Sequence, residues 1–75
     1  MYRILIVEDD AGIAEAVSEQ AKMWNFETHS VTNFRNVMAE FAEFDPHLVL
    51  MDIGLPFFNG YYWCGEIRKV SRVQV

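Results

Sequence analysis

One cysteine, two prolines and four glycines are spread over 75 residues. A lone thiol, Cys64, excludes an internal disulfide framework and fits a reducing compartment. With glycine so scarce, no Gly-rich loop follows the first apolar run, where a nucleotide or flavin binder would cradle its phosphates. Basic residues are few as well. Six Lys and Arg stand against eleven Asp and Glu, for a formal net charge of −5. That balance offers no electrostatic footprint for nucleic acid or anionic lipid. No apolar run approaches the roughly 18 residues of a membrane span, and no basic segment leads into a leader-like apolar core. Repeats, low-complexity tracts and linkers are absent too. The expectation is one small, soluble, cytoplasmic domain near the lower size limit for a self-sufficient core.

What is present is a chain 52% hydrophobic and 15% aromatic, which argues against disorder. Arg3 to Val7 is an Ile- and Val-rich run, the pattern of a strand buried on both faces. Ala11 to Trp24 spaces Ile13, Ala14, Val17, Ala21 and Trp24 three and four apart, one face of an amphipathic helix, with Asp9 or Asp10 as its N-cap. Phe26 to Val31 is a weaker strand, less covered because Glu27, Thr28 and His29 are polar. Thr32 or Asn33 then caps a second helix carrying Phe34, Val37, Met38 and Phe41 inward. Asp45-Pro46 stops it. Leu48 to Met51 repeats the opening design and ends in Asp52. A loop marked by Gly54, Pro56 and Asn59-Gly60 leads to a third helix, Tyr61 to Val70, with Cys64 and Ile67 inward. "VQV" opens a further strand.

The order β-α-β-α-β-α-β predicts a parallel sheet with helices on both faces. Ligands of such sheets sit beyond the carboxyl ends of the strands. Glu8, Asp9 and Asp10 follow the first strand and Asp52 the third, so neighbouring strands would bring the acids into one shallow pocket. Carboxylates held together repel, and a hard divalent cation relieves them; Mg2+ takes about six oxygens, one or two of them carboxylates. A carboxylate beside such a metal can also attack phosphorus. The plainer reading is a helix N-cap, and it is favoured for Asp10. His29 and His47 lack partners at ligand spacing, and Cys64 reads as a small core residue. Of the adjacent Tyr61, Tyr62 and Trp63, at least one is expected at the surface.

At this point "RILIVEDD", "DPHLVLMDIGLP" and "NGYYWCGEIRK" together resemble the receiver domain of bacterial two-component response regulators. The acid pair, an Asp 43 positions on, Leu-Pro after it and then Asn-Gly occur in that family's order across essentially the whole chain. The resemblance implies a flavodoxin-like doubly wound α/β sheet with strand order 2-1-3-4. It implies that Asp52 accepts phosphate from a sensor histidine kinase. Glu8, Asp9 and Asp52, with the Gly54 backbone carbonyl, would then hold Mg2+, and Pro56 and Gly60 would shape the loop. A Glu-Asp acid pair resembles members that control a winged-helix DNA-binding output domain, and "FFNGYYWCGEIRKVS" resembles regulators responding to peptide antibiotics.

The resemblance implies five β-α units, so residues 1–75 are expected to be an incomplete receiver domain. They are expected to end within the fourth strand and to carry no output domain. The hydroxyl residue after that strand and the lysine after the fifth, both of which contact the phosphoryl group in the family, lie outside this stretch. An exposed fourth-strand edge predicts self-association. No enzymatic activity, direct nucleic-acid binding or membrane contact is expected of the segment itself. Two other classes remain open. A Mg2+-dependent phosphohydrolase with an aspartyl nucleophile would need Asp-x-Asp after the first strand, where this chain has Glu8-x-Asp10. A non-catalytic, self-associating fragment would fold and pair without binding metal.

Overall fold

Ile4, Leu5, Ile6 and Val7 leave β1 (Arg3–Val7) without a polar face, so it must be covered on both sides. The computed structural model, which describes residues 1–75, places it at the centre of a three-stranded parallel sheet of order β2-β1-β3. All four of these side chains are buried. The strands β2 (Glu27–Ser30) and β3 (Leu48–Met51) flank it, and α1 (Ala11–Met23), α2 (Val37–Phe44) and α3 (Gly60–Val70) alternate with them along the chain. Gln74 forms a parallel bridge with Leu48, and the Val49 N–H donates to the Gln74 carbonyl at 2.9 Å. The strand expected at the end of the chain is thus a single bridge beside β3, where the order 2-1-3-4 requires it. Arg68 of α3 steadies that segment by donating to the carbonyls of Ser71 and Val73.

The two faces of the sheet are covered unequally. Leu5, Val7 and Val49 point to one side and join Val31, Val37, Phe41, Trp63 and Ile67 in the larger core, under α2 and α3. Ile4 and Ile6 point to the other and meet Ala14 and Ala21 of α1. Each fully buried aliphatic contributes about 1.5–3 kcal/mol. Alanines at 14 and 21 let α1 approach closely, and the Ser18 hydroxyl lies 2.7 Å from that of Thr28 on β2. The contact line therefore runs through Ala14, Val17 and Ala21. Ile13, expected inward, falls to the side and is 52% exposed. Trp24, also expected inward, is the C-cap and points away as Asn25 turns the chain at φ 63°. Because α1 lies over β1 and β2, it leaves Leu50 of β3 40% exposed, and β3 is not buried on both faces as its sequence suggests. Tyr61 and Tyr62 are exposed and Trp63 is buried, which divides that aromatic run as expected.

The second helix starts later than its sequence pattern implies. Asn36 is the N-cap, its Oδ1 accepting from the Ala39 N–H, in place of Thr32 or Asn33. The Asn33 side chain accepts from the Arg35 N–H instead, and its carbonyl accepts from the Asn36 N–H, so residues 33–36 form a turn. Glu40, one turn into α2, reaches back to the N–H groups of Thr32 and Asn33 and to His29 Nε2 at 2.7 Å. At the other end, Asp45 adopts left-handed backbone at φ 51°, and Arg3 Nε donates to the carbonyls of Phe44 and Asp45. His47 Nδ1 accepts from the Arg3 N–H. Both histidines are thus engaged in structural hydrogen bonds.

Burial alone would raise the Glu40 pKa. The N–H groups of Asn33 and Thr32 and the His29 ring outweigh it, and the pKa lies below the ordinary 4.5. A carboxylate depressed in the folded state stabilises the fold above its unfolded pKa and stops doing so as pH falls through the folded value. Glu40→Ala is expected to cost about 1–3 kcal/mol in urea unfolding at pH 7. The gap from wild type should close as the pH falls below 4.5. A gap independent of pH would contradict this role.

Candidate functional site

The pairing of β1 with β3 determines what lies at the carboxyl edge of the sheet. Val7 stands opposite Met51, and the Asp52 N–H donates to the Val7 carbonyl at 2.9 Å, extending the ladder one residue past the strand. The next residues on the two chains, Glu8 and Asp52, must therefore lie side by side. Glu8, Asp9 and Asp52 each present a carboxylate oxygen, and the three oxygens lie within 4.8 Å of one another. Glu8 and Asp52 are half-buried and Asp9 is exposed. Asp10 does not join them. Its Oδ1 accepts from the Ile13 N–H at 3.1 Å as the N-cap of α1, which decides between the two cap candidates.

No protein cation pairs with this cluster; the ion pairs of the chain are Arg3 with Asp45, His29 with Glu40 and Lys69 with Glu66. The Asp10 N–H donates to Glu8 Oε2 and pulls the Glu8 pKa down. Burial, the charge on Asp52 and the hydrogen bond and charge of Asp9 outweigh it, so the Glu8 pKa lies above the ordinary 4.5. Glu8 thus resists ionising first because of its burial and then because of its acid neighbours, with no protein cation to compensate. All the donors are hard carboxylate oxygens, suited to Mg2+ or Ca2+ and poorly suited to thiolate- or imidazole-seeking metals. The residues present fit a hard divalent cation.

The loop after Asp52 is held against α3. Asn59 caps that helix, its Oδ1 accepting from the Tyr62 N–H, so Gly60 is the first helical residue and not a loop residue. The Gly60 N–H donates to the Ile53 carbonyl at 3.0 Å, and a Cβ at position 60 would collide with the carbonyl oxygen of Asp52. Gly54 is exposed, has no positive φ and has open space where a Cβ would stand. Pro56 is exposed and its carbonyl accepts from the Phe58 N–H. Between them and Phe58, Phe57 holds left-handed backbone at φ 67°, unusual for a bulky residue. The Arg35 guanidinium carbon lies 4.0 Å from the centre of the Phe57 ring. Sequence reasoning missed Arg35, although it is the sole Lys or Arg between Lys22 and Arg68.

This arrangement of alternating strands and helices, with three acids at one sheet edge, matches the response regulator receiver domain model over residues 4–75. The chain belongs to that family. Among curated relatives, the receiver is 44% identical over 75 residues to the uncharacterized transcriptional regulatory protein YvcP of Bacillus subtilis, covering 100% of this chain and 32% of YvcP. Among solved structures, the receiver is similar to the N-terminal domain of the nisin resistance regulator NsrR, a lantibiotic response regulator. That similarity has TM-score 0.89 at 42% identity, over 97% of this chain and 62% of that one. TrrA of Thermotoga maritima, solved in complex with Mg2+ and BeF, is similar at TM-score 0.84 and 33% identity, over 92% and 60% of the two chains. TrrA has also been solved in complex with the histidine kinase ThkA, where the TM-score is 0.86 at 31% identity over 99% and 64%. The receiver thus spans about a third of the curated relative and under two thirds of these solved chains.

The two glycines of the loop should behave differently. Gly60→Ala meets backbone that cannot swing aside, so it is expected to cost about 1–3 kcal/mol and lower the Tm. Gly54→Ala is expected to stay within about 0.5 kcal/mol of wild type. Thermal unfolding of both variants checks this, and the reverse ranking would contradict the packing described.

Proposed function

We propose that this receiver accepts a phosphoryl group on Asp52, with Mg2+, from a sensor histidine kinase, and acts as a signalling module. The observation that carries the reading is the convergence of Glu8, Asp9 and Asp52 within 4.8 Å at the ends of two paired strands. In this reading an Asp52 carboxylate oxygen attacks phosphorus. The P–O bond to Asp52 forms as the P–N bond to the donor's imidazole breaks, and the imidazole leaves with that electron pair and takes up a proton. Glu8, Asp9, Asp52 and the Gly54 carbonyl would hold the metal. When bound, Mg2+ neutralises charge on the carboxylates and on the transferred group. The Gly60 contact keeps the Asp52 backbone in position, and Pro56 restricts the loop between them. TrrA, bound to a histidine kinase in one structure and to Mg2+ and BeF in another, supports both proposed partners.

The consequence of phosphorylation would be control of a DNA-binding output domain outside residues 1–75, in a cytoplasmic regulator. The length of YvcP and its description as a transcriptional regulatory protein support this. A peptide-antibiotic stimulus draws its support from the likeness to NsrR. No helix is long and apolar enough to cross a membrane. The phosphohydrolase reading is weakened further by Asp10, the one aspartate of its Asp-x-Asp pattern present here, whose carboxylate is occupied in capping α1.

Phosphorylation with acetyl phosphate and Mg2+, followed by intact mass, tests the assignment; here the P–O bond to acetate breaks and acetate leaves. A single phosphoryl adduct is expected on wild type, absent for Asp52→Asn and absent without Mg2+. No adduct on wild type, or one that persists in the variant, would sink it. Self-association is the second part of the proposal. In residues 1–75 the fourth-strand segment is a single bridge from Gln74 to Leu48, and its outer edge is where a second copy would add a strand. Sedimentation velocity should show dimers or larger species growing with concentration over the micromolar range. A monomer throughout would contradict that part.

A further inference from the structure

We propose that Asn59 is a positioning residue for Asp52. By capping α3 it holds the first helical turn against the Asp52 backbone, and so sets how strongly the three acids bind a cation. It does so for the Mg2+ seat proposed above, on which this inference rests. Asp52 is gripped from two directions. Its N–H donates to the Val7 carbonyl, so one side of the residue belongs to the sheet. On the other side, the Ile53 carbonyl accepts from both the Leu55 N–H and the Gly60 N–H, each at 3.0 Å. That shared oxygen closes the neck of the loop between Asp52 and α3. Gly60 is buried, and a Cβ on it would collide with the Asp52 carbonyl, so the start of α3 lies directly against that peptide.

Little besides Asn59 keeps that start in place. Gly60 is a poor helix former, and the aromatic side chains of Tyr61 and Tyr62 lose freedom in a helix. No acid in the first turn meets the helix dipole. Tyr61 and Tyr62 are exposed, and Tyr62 stacks on Phe58, a ring of the same loop. The first buried side chain of α3 is that of Trp63. Asn59 Oδ1 accepts from the Tyr62 N–H at 2.9 Å, and the Asn59 carbonyl accepts from the Trp63 N–H at a longer 3.3 Å. Without the side-chain bond the first turn is free to fray, and the Gly60 N–H then leaves the Ile53 carbonyl. The start of α2 is built differently. Its cap, Asn36, is followed directly by buried Val37, and Glu40 stands in its first turn.

A cap that only stabilised α3 would raise the Tm and leave cation binding alone, so the two roles separate by experiment. The test uses the whole chain as wild type, Asn59→Ala, Asn59→Ser and Asn36→Ala, at a temperature where all four are folded. Mg2+ affinity is read by calorimetry, and exchange of the Gly60 amide by NMR on metal-free protein. Asn59→Ala is expected to weaken Mg2+ binding about three- to tenfold and to speed Gly60 exchange, because fewer molecules hold Asp52 in the binding position. Asn59→Ser, a cap of equal rank and no charge, should bind within about twofold of wild type. Asn36→Ala removes a cap of the same kind from α2; its Tm should fall comparably while Mg2+ affinity stays within about twofold of wild type. Wild-type Mg2+ affinity in Asn59→Ala would overturn the proposal. So would an equal weakening in Asn36→Ala, which is the result of general destabilisation. No Mg2+ binding by folded wild type would overturn the Mg2+ seat itself, and the role of Asn59 would fall with it.

Discussion

The pairing of Val7 with Met51 is the constraint on which the rest depends. Once β1 and β3 run parallel in that register, and the Asp52 N–H extends the ladder to the Val7 carbonyl, the acids that follow the two strands have nowhere else to go. The ends of β1 hold the register, because a one-residue slip would carry Arg3 or Glu8 into the buried stretch that Ile4 to Val7 now fill between the two cores. Burial of each of these apolar side chains contributes about 1.5–3 kcal/mol. Two carboxylates about 4 Å apart near a protein surface repel by about 1–4 kcal/mol. The acid cluster therefore works against the packing of β1 that brings it together. The fold tolerates a charge concentration that a hard cation would relieve, and the raised Glu8 pKa is the sign of that tension.

Several local devices keep the cluster at three acids and in place. Asp10 is drawn off to cap α1, so it adds a helix start and not a fourth charge. Gly60 lets α3 begin against the Asp52 backbone, where any side chain would push the acid away from its neighbours. The turn at residues 33–36, tied to α2 through Glu40, faces the loop after Asp52 through Arg35 and Phe57. Each of the three connections at this sheet edge is held by hydrogen bonds of its own, and Arg35 over the Phe57 ring joins the second to the third.

How much of this the sequence reveals depends on the range of the interaction that decides it. The strands β1 and β3 follow from apolar runs that end in acids and the parallel order from the alternation of strands and helices, whereas the adjacency of β1 and β3, which brings Glu8, Asp9 and Asp52 together, follows from the resemblance to the receiver family. The start of α2 is not. Asn33 and Asn36 are equally good caps by residue type, and the choice turns on Glu40 reaching back seven residues to the Asn33 N–H. Periodicity likewise put Ile13 and Trp24 on the inner face of α1. The small side chains of Ala14 and Ala21 set the actual contact line. Leu50 looked buried because its strand is wholly apolar, whereas its exposure depends on how far α1 extends over the sheet. The Arg35–Phe57 contact joins residues 22 apart across two loops, and only the isolation of Arg35 among acids hinted at it.

The claim at the centre is that these three carboxylates form one cation site built by strand register. Paramagnetic broadening tests it most directly. Mn2+ is added in small amounts to isotope-labelled protein, the amide resonances are followed residue by residue, and Mg2+ is then added in excess. The account predicts broadening centred on residues 8–10 and 52–54, reversed by Mg2+. Broadening spread over the other acidic residues, or centred on Glu40 and Glu43, would contradict it.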